Sequence, residues 1–159
     1  MLSDSERRNL IDKIRSLPNQ LAEAVKGLSE DQLETPYRDG GWTVRQVVHH
    51  LADAHVNAYI RMRLVVTEDH PTLKPYSQDD WARLPDARGD AIDESMELLK
   101  GLHARWSSFL QHQSAETWQR TAYHPEEGDV SLEQLVRIYA GHGENHVGQI
   151  LRLRSARNW

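Results

Sequence analysis

Apolar residues recur along this chain at helical spacing in four long stretches. In the first, from about Asp4 to Gly27, Leu10, Ile11, Ile14, Leu17, Leu21 and Val25 fall on one helical face. Pro18 stands inside that stretch, where a missing N–H and a bulky ring are expected to kink or split the helix. Ser29 with Gln32 forms a capping-box signature for a short turn, and Pro36 to Gly41 has loop composition. Thr43 with Gln46 is a second capping box, opening an uninterrupted helical pattern from Val44 to about Glu68 that Pro71 ends. At 1.5 Å per residue that is roughly 37 Å of helix. Asp69 to Asp90 carries Pro71, Pro75 and Pro85 around a short possible turn at Gln78 to Leu84, which suits a crossover connection better than a hairpin. Asp90 is placed to cap a third helix reaching about His112, with Ile92, Met96, Leu99, His103, Trp106 and Leu110 in one stripe. Short helical and loop pieces follow. Ser131 with Gln134 then caps a fourth helix from Leu132 to about Ser155, with Leu132, Val136, Tyr139, Gly143, Val147 and Ile150 inward. No stretch alternates with the period of a strand.

Four long amphipathic helices joined by one long middle connection predict an all-α fold, an antiparallel four-helix bundle with a crossover between its second and third helices. At 159 residues the chain fits a single domain spanning 1–159. The polar opening MLSDSERRNL, and the absence of any apolar run long enough for a bilayer, lead to the expectation of a soluble cytoplasmic protein. Net charge is -5 with Lys and Arg scattered among the acids, so neither nucleic acid nor an anionic membrane is an expected partner. Because the chain has no cysteine, disulfides, thiolate zinc sites, iron–sulfur clusters and a cysteine nucleophile are excluded. A bound metal has to use His, Asp, Glu or water. Nine histidines are many for this length.

His142 and His146 form H-x3-H within the fourth helix, so their side chains stand about 40° apart and can reach one ion. The same spacing suits a histidine-rich, partly solvated helix; position favours the metal, because both rings flank the apolar stripe beside Leu135 and Leu153. A third ligand would come from a facing helix. On the second helix His50 lies about 60° from the core stripe of Val47, Leu51, Ala54 and Ala58, His55 falls within its opposite edge, and His49 points outward. His50 is the best candidate; His55, about 140° away, cannot share its ion and fits a hydrogen-bonded core histidine. Asp53, one turn after His50, is placed to orient a ligand or shuttle protons, and equally fits a solvated acid. Trp42 and the glycines before it fit a turn; Trp81, Tyr123 and His124 fit either a substrate wall or core cover.

The stretch TPYRDGGWTVRQVVHHLADAH from Thr35 to His55, with YAGHGENHVGQI from Tyr139 to Ile150, resembles the YfiT-type proteins of the DinB superfamily. KPY at Lys74 to Tyr76 and YHP at Tyr123 to Pro125 extend the likeness. The resemblance implies a homodimer with one divalent ion per chain, zinc first and nickel second, on the second histidine of the HH pair and the H-x3-H of the last helix. Those positions are His50, His142 and His146. It also implies metal-dependent hydrolysis of a small molecule. A metal-dependent thiol S-transferase and a non-catalytic, metal-stabilised dimeric binding module are the alternatives. Zincin and di-iron chemistry are disfavoured, since neither H-E-x-x-H nor E-x-x-H occurs.

Overall fold

The computed structural model describes residues 2–159. Its long helices are α1 (Asp4–Val25), α3 (Val44–Thr67), α6 (Asp93–Gln111) and α7 (Leu132–Arg157); shorter ones are α2 (Glu30–Leu33), α4 (Gln78–Ala82) and α5 (Pro85–Gly89). The four long helices form the predicted bundle. Helices α1 and α3 each pack against both α6 and α7, so α1 and α3 stand on opposite corners. The capping boxes at Ser29, Thr43 and Ser131 all form, each side chain accepting the N–H three residues on while that residue's glutamine returns to the cap N–H.

Three expectations need correction. Pro18 does not split the first helix: α1 runs through it with the proline buried. The ring is accommodated in the core, and the Ile14 carbonyl that loses its helical donor accepts instead from His103 on α6. Asp90 does not cap α6, which starts behind Ile92 without a side-chain cap. Its N–H closes α5 on Asp86, and its carbonyl accepts from Arg45. Finally, the region between α6 and α7 contains an antiparallel hairpin, β1 (Thr121–His124) with β2 (Gly128–Ser131), in the register Ala122↔Val130 and Tyr123↔Asp129. Four-residue strands give one and a half alternations, too few for periodicity to register. The crossover is stapled to this hairpin: Tyr123 N–H donates to Pro71 O at 2.9 Å and Leu73 N–H to Tyr123 O at 2.8 Å.

The core divides in two along the bundle. One apolar cluster gathers Ile11, Ile14, Met62, Trp106, Leu110 and Leu132; the other gathers Leu17, Leu21, Val47, Leu51, Leu99 and Ile150. His55 of α3, His103 of α6 and His142 of α7 occupy the level between them. A layer of histidines thus separates the two apolar clusters. No helix among the described residues is long and apolar enough to cross a membrane.

Candidate metal centre

Helices α3 and α7 run side by side, and that contact brings His50 to the i, i+4 pair His142 and His146. His50 Nε2 lies 3.1 Å from His142 Nε2, and His146 Nε2 lies 3.2 Å from the same atom. One ring nitrogen from each of the three falls within 4.8 Å of the others. Nitrogens at about 2.0–2.1 Å from a tetrahedral ion are spaced by roughly 3.4 Å, so this cluster matches the donor spacing of one small cation. The chemistry of the donors fits as well. Burial, and then the neighbouring His142 and His146, push His50 down to about 3; burial, and then His146, take His142 to about 4. Burial lowers His146 too, against its bond to Gln149. The imidazoles are therefore held neutral with lone pairs available.

Of the other sequence candidates, Asp53 is half-buried and its carboxylate bonds none of the three histidines; burial and then Asp86 raise its pKa. His49 is half-buried rather than solvated, its Nδ1 2.8 Å from Ser95 Oγ. His55 is a core histidine, 1% exposed, as its place within the stripe implied. It does not join the cluster but touches it, its Nε2 3.2 Å from His142 Nδ1.

Three neighbours were not legible from periodicity, and for a fourth, His124, the sequence leaves substrate wall and core cover both open. Gln149 places Oε1 2.8 Å from His146 Nδ1, the kind of partner that fixes a ligand ring's orientation. Its signal is only that it sits one turn after a histidine. Trp42, assigned to a turn, is also a wall of the site: its ring lies 4.6 Å from His50 and nearly parallel to His146 at 6.4 Å. Gly40, in the left-handed region at φ 67°, helps fold the loop back so that Tyr37 N–H meets Trp42 O and the indole covers the histidines. Arg61 and His124 are the other two. Both are buried and line a cavity of about 430 Å³ with Tyr76, Tyr139 and His142. Trp81 stays outside it, its ring tilted by 46° against Tyr76 at 4.6 Å, and Tyr123 points to solvent. A second cavity, about 360 Å³, opens on Trp42, His142 and His146 from the other side of Gln78 and Asp79.

The DinB superfamily profile matches residues 13–150. A protein of Bacillus cereus strain 03BB102 is 47% identical over 149 residues, covering 94% of this chain and 86% of that protein. One of Bacillus thuringiensis subsp. konkukian matches to the same extent. Both are named, provisionally, as metal-dependent hydrolases. Among solved structures, YfiT from Bacillus subtilis superposes with a TM-score of 0.98 at 38% identity, over 100% of this chain and 91% of that one. It is described as a probable metal-dependent hydrolase with an unusual four-helix bundle topology.

Proposed function

Because the chain belongs to the DinB superfamily, we propose that it is a metal-dependent hydrolase whose single divalent ion, zinc first and nickel second, is held by His50, His142 and His146. The convergence of three neutral imidazoles on one point carries this reading. The provisional names of its relatives agree with it. Imidazole nitrogen suits zinc and nickel alike. A divalent cation in such a site supplies a Lewis acid that brings the pKa of water from about 15.7 towards 7.

The chain's own residues do the rest. Trp42 covers the His50 and His146 rings on one side, keeping bulk water off them. Gln149 holds His146 through Nδ1, which directs Nε2 to the shared point. His142 borders both cavities, so a small molecule entering past Tyr76 and His124 arrives beside a ligand of the ion. His124 Nδ1 accepts the Glu126 N–H at 3.3 Å, so the N–H donor of this ring is Nε2.

Elemental analysis of the untagged protein, beside a variant with both His142→Ala and His146→Ala, tests this. About one zinc or nickel per chain in the wild type and none in the variant is expected. Hydrolysis of some member of an ester and amide panel should then be lost on chelation and restored by metal. A wild type that stays metal-free after incubation with zinc and nickel overturns the reading.

A further inference from the structure

The Ile14 carbonyl has no helical donor, because residue 18 is proline, and His103 Nδ1 lies 2.5 Å from it. A carbonyl oxygen only accepts, so the proton of this imidazole is on Nδ1 and its Nε2 is a bare acceptor. His55 Nδ1 lies 2.9 Å from that Nε2 and must be the donor. The His55 ring is then bare at Nε2, which stands 3.2 Å from His142 Nδ1. His142 in turn donates from Nδ1, leaving Nε2 without a proton. That atom is the one 3.1 Å from His50 Nε2 and 3.2 Å from His146 Nε2. His55 and His103 are each 1% exposed and neither contacts a carboxylate among the described residues, an environment that disfavours a second proton on either ring.

The geometry assigns to Pro18, His103 and His55 a positioning role: they form a tautomer lock, running from a proline-freed carbonyl through two buried histidines, that presents His142 Nε2 as a lone pair. The assignment rests on His142 being a metal ligand. Every proton along the chain points back towards Ile14, and the chain ends on a backbone carbonyl rather than in water. It therefore has no outlet for protons and acts as a fixed support. It also gives Pro18 a task that helix propensity alone would argue against. Without the lock, His55 is free to donate from Nε2, which turns His142 over to the form protonated at Nε2, leaving no lone pair on the atom that faces His50 and His146.

The imidazole nitrogens of the metal-free, 15N-labelled protein report the lock directly. Wild type should show His103, His55 and His142 all protonated at Nδ1; His142 protonated at Nε2 overturns the proposal with no variant needed. His103→Leu should populate the Nε2-protonated form of His142 and weaken zinc binding ten- to a hundredfold. His103→Gln, whose Oε1 can accept from His55, should restore most of that loss. A folded His103→Leu protein with unchanged tautomers and zinc affinity sinks the lock alone. A wild type that takes up no zinc sinks the metal reading instead.

Two arginines of α3 are buried, and they differ in charge balance. Arg45 is paired with Glu30 and Glu34, whereas Arg61, 8% exposed, donates only to neutral oxygens, Tyr139 Oη at 2.8 Å and Lys74 O at 2.5 Å. Its guanidinium lies over the Tyr76 ring and lines the cavity that His142 borders. The acids of that cavity, Asp79 and Glu126, are exposed. A buried cation without a carboxylate is costly unless an anion completes it. The structure assigns to Arg61 recognition of a carboxylate on the substrate, which makes that substrate an anionic ester or amide; this rests on the hydrolase reading. Hydroxamates that seek the ion, with and without a terminal carboxylate and over increasing chain lengths, are the probes. On zinc-loaded protein one carboxylated member should bind at least about tenfold tighter than acetohydroxamate, and Arg61→Met should abolish that gain while leaving acetohydroxamate unchanged. No gain at any length overturns the anion site; acetohydroxamate failing to bind counts against the metal reading.

Discussion

Gly143 of α7 sits so close to Leu17 of α1 that a Cβ added to the glycine would lie 2.6 Å from Leu17 Cδ2 and 2.8 Å from Cδ1. The contact lies directly beside His142 and sets the depth at which α7 rests on the bundle. Gly143→Ala should gain about 1 kcal/mol of helix propensity and lose more, about 1–3 kcal/mol, through overpacking a buried leucine. Net destabilisation in urea titration is the expected result, and Leu17→Ala should cost less in the Gly143→Ala background than in the wild type.

Gln149→Leu removes the acceptor of His146 Nδ1. Zinc affinity, measured against a competing chelator, should fall about tenfold, with an apoprotein cost of about 1 kcal/mol. The larger effect belongs on the metal, because Gln149 is only half-buried and its loss leaves packing intact.

Arg45 is 3% exposed and joins three elements, its Nε donating to Glu34 at 2.5 Å, its Nη1 to the Asp90 carbonyl at 2.6 Å, and its Nη2 to Glu30. Both glutamates are substantially exposed and can return to water. Arg45→Met should therefore cost about 2 kcal/mol, mostly from the carbonyl left behind. Thermal melts should show the loss while zinc stoichiometry stays unchanged.

Acid should unfold the metal-free protein. Burial pushes His103 down to about 4 from an ordinary value near 6.5, against the pull of its bond to Ile14. As pH falls through 6.5 the unfolded chain takes up protons that the native ring refuses, so stability is full above that pH and drains away towards 4. One such group accounts for about 3 kcal/mol by pH 4. His50 and His142 shift in the same direction, and unfolding midpoints in urea should drop sharply between pH 7 and 5.

The long helices were legible because their ends carry local signals: Thr43 with Gln46 and Ser131 with Gln134 mark the starts of α3 and α7 to the residue. Helical phase narrowed the donors to His50, His142 and His146, since one face of a helix is fixed by spacing, and the resemblance to the YfiT-type proteins favoured that set. What failed was whatever depended on a distant partner. Asp90 has a cap's composition, but Arg45, far back in the sequence, claims its carbonyl. Pro18 reads as a breaker until His103, on another helix, takes up the carbonyl it strands. His55 was placed in the core, yet its contact with His142 depends on how deeply α7 seats, which Gly143 and Leu17 decide.

His50 and His142 are 92 residues apart in sequence, on two helices, α3 and α7, that meet only in the folded bundle. A chain emerging from N- to C-terminus carries His50 early, but has no second donor until α7 has been made and has docked against α3. An ion bound there recognises the finished tertiary structure and none of its precursors, so occupancy reports on completed folding. It also deepens that state alone, by about 4 kcal/mol at a thousandfold excess of free ion over its dissociation constant. Metal supply would then set how long a mature copy survives proteolysis.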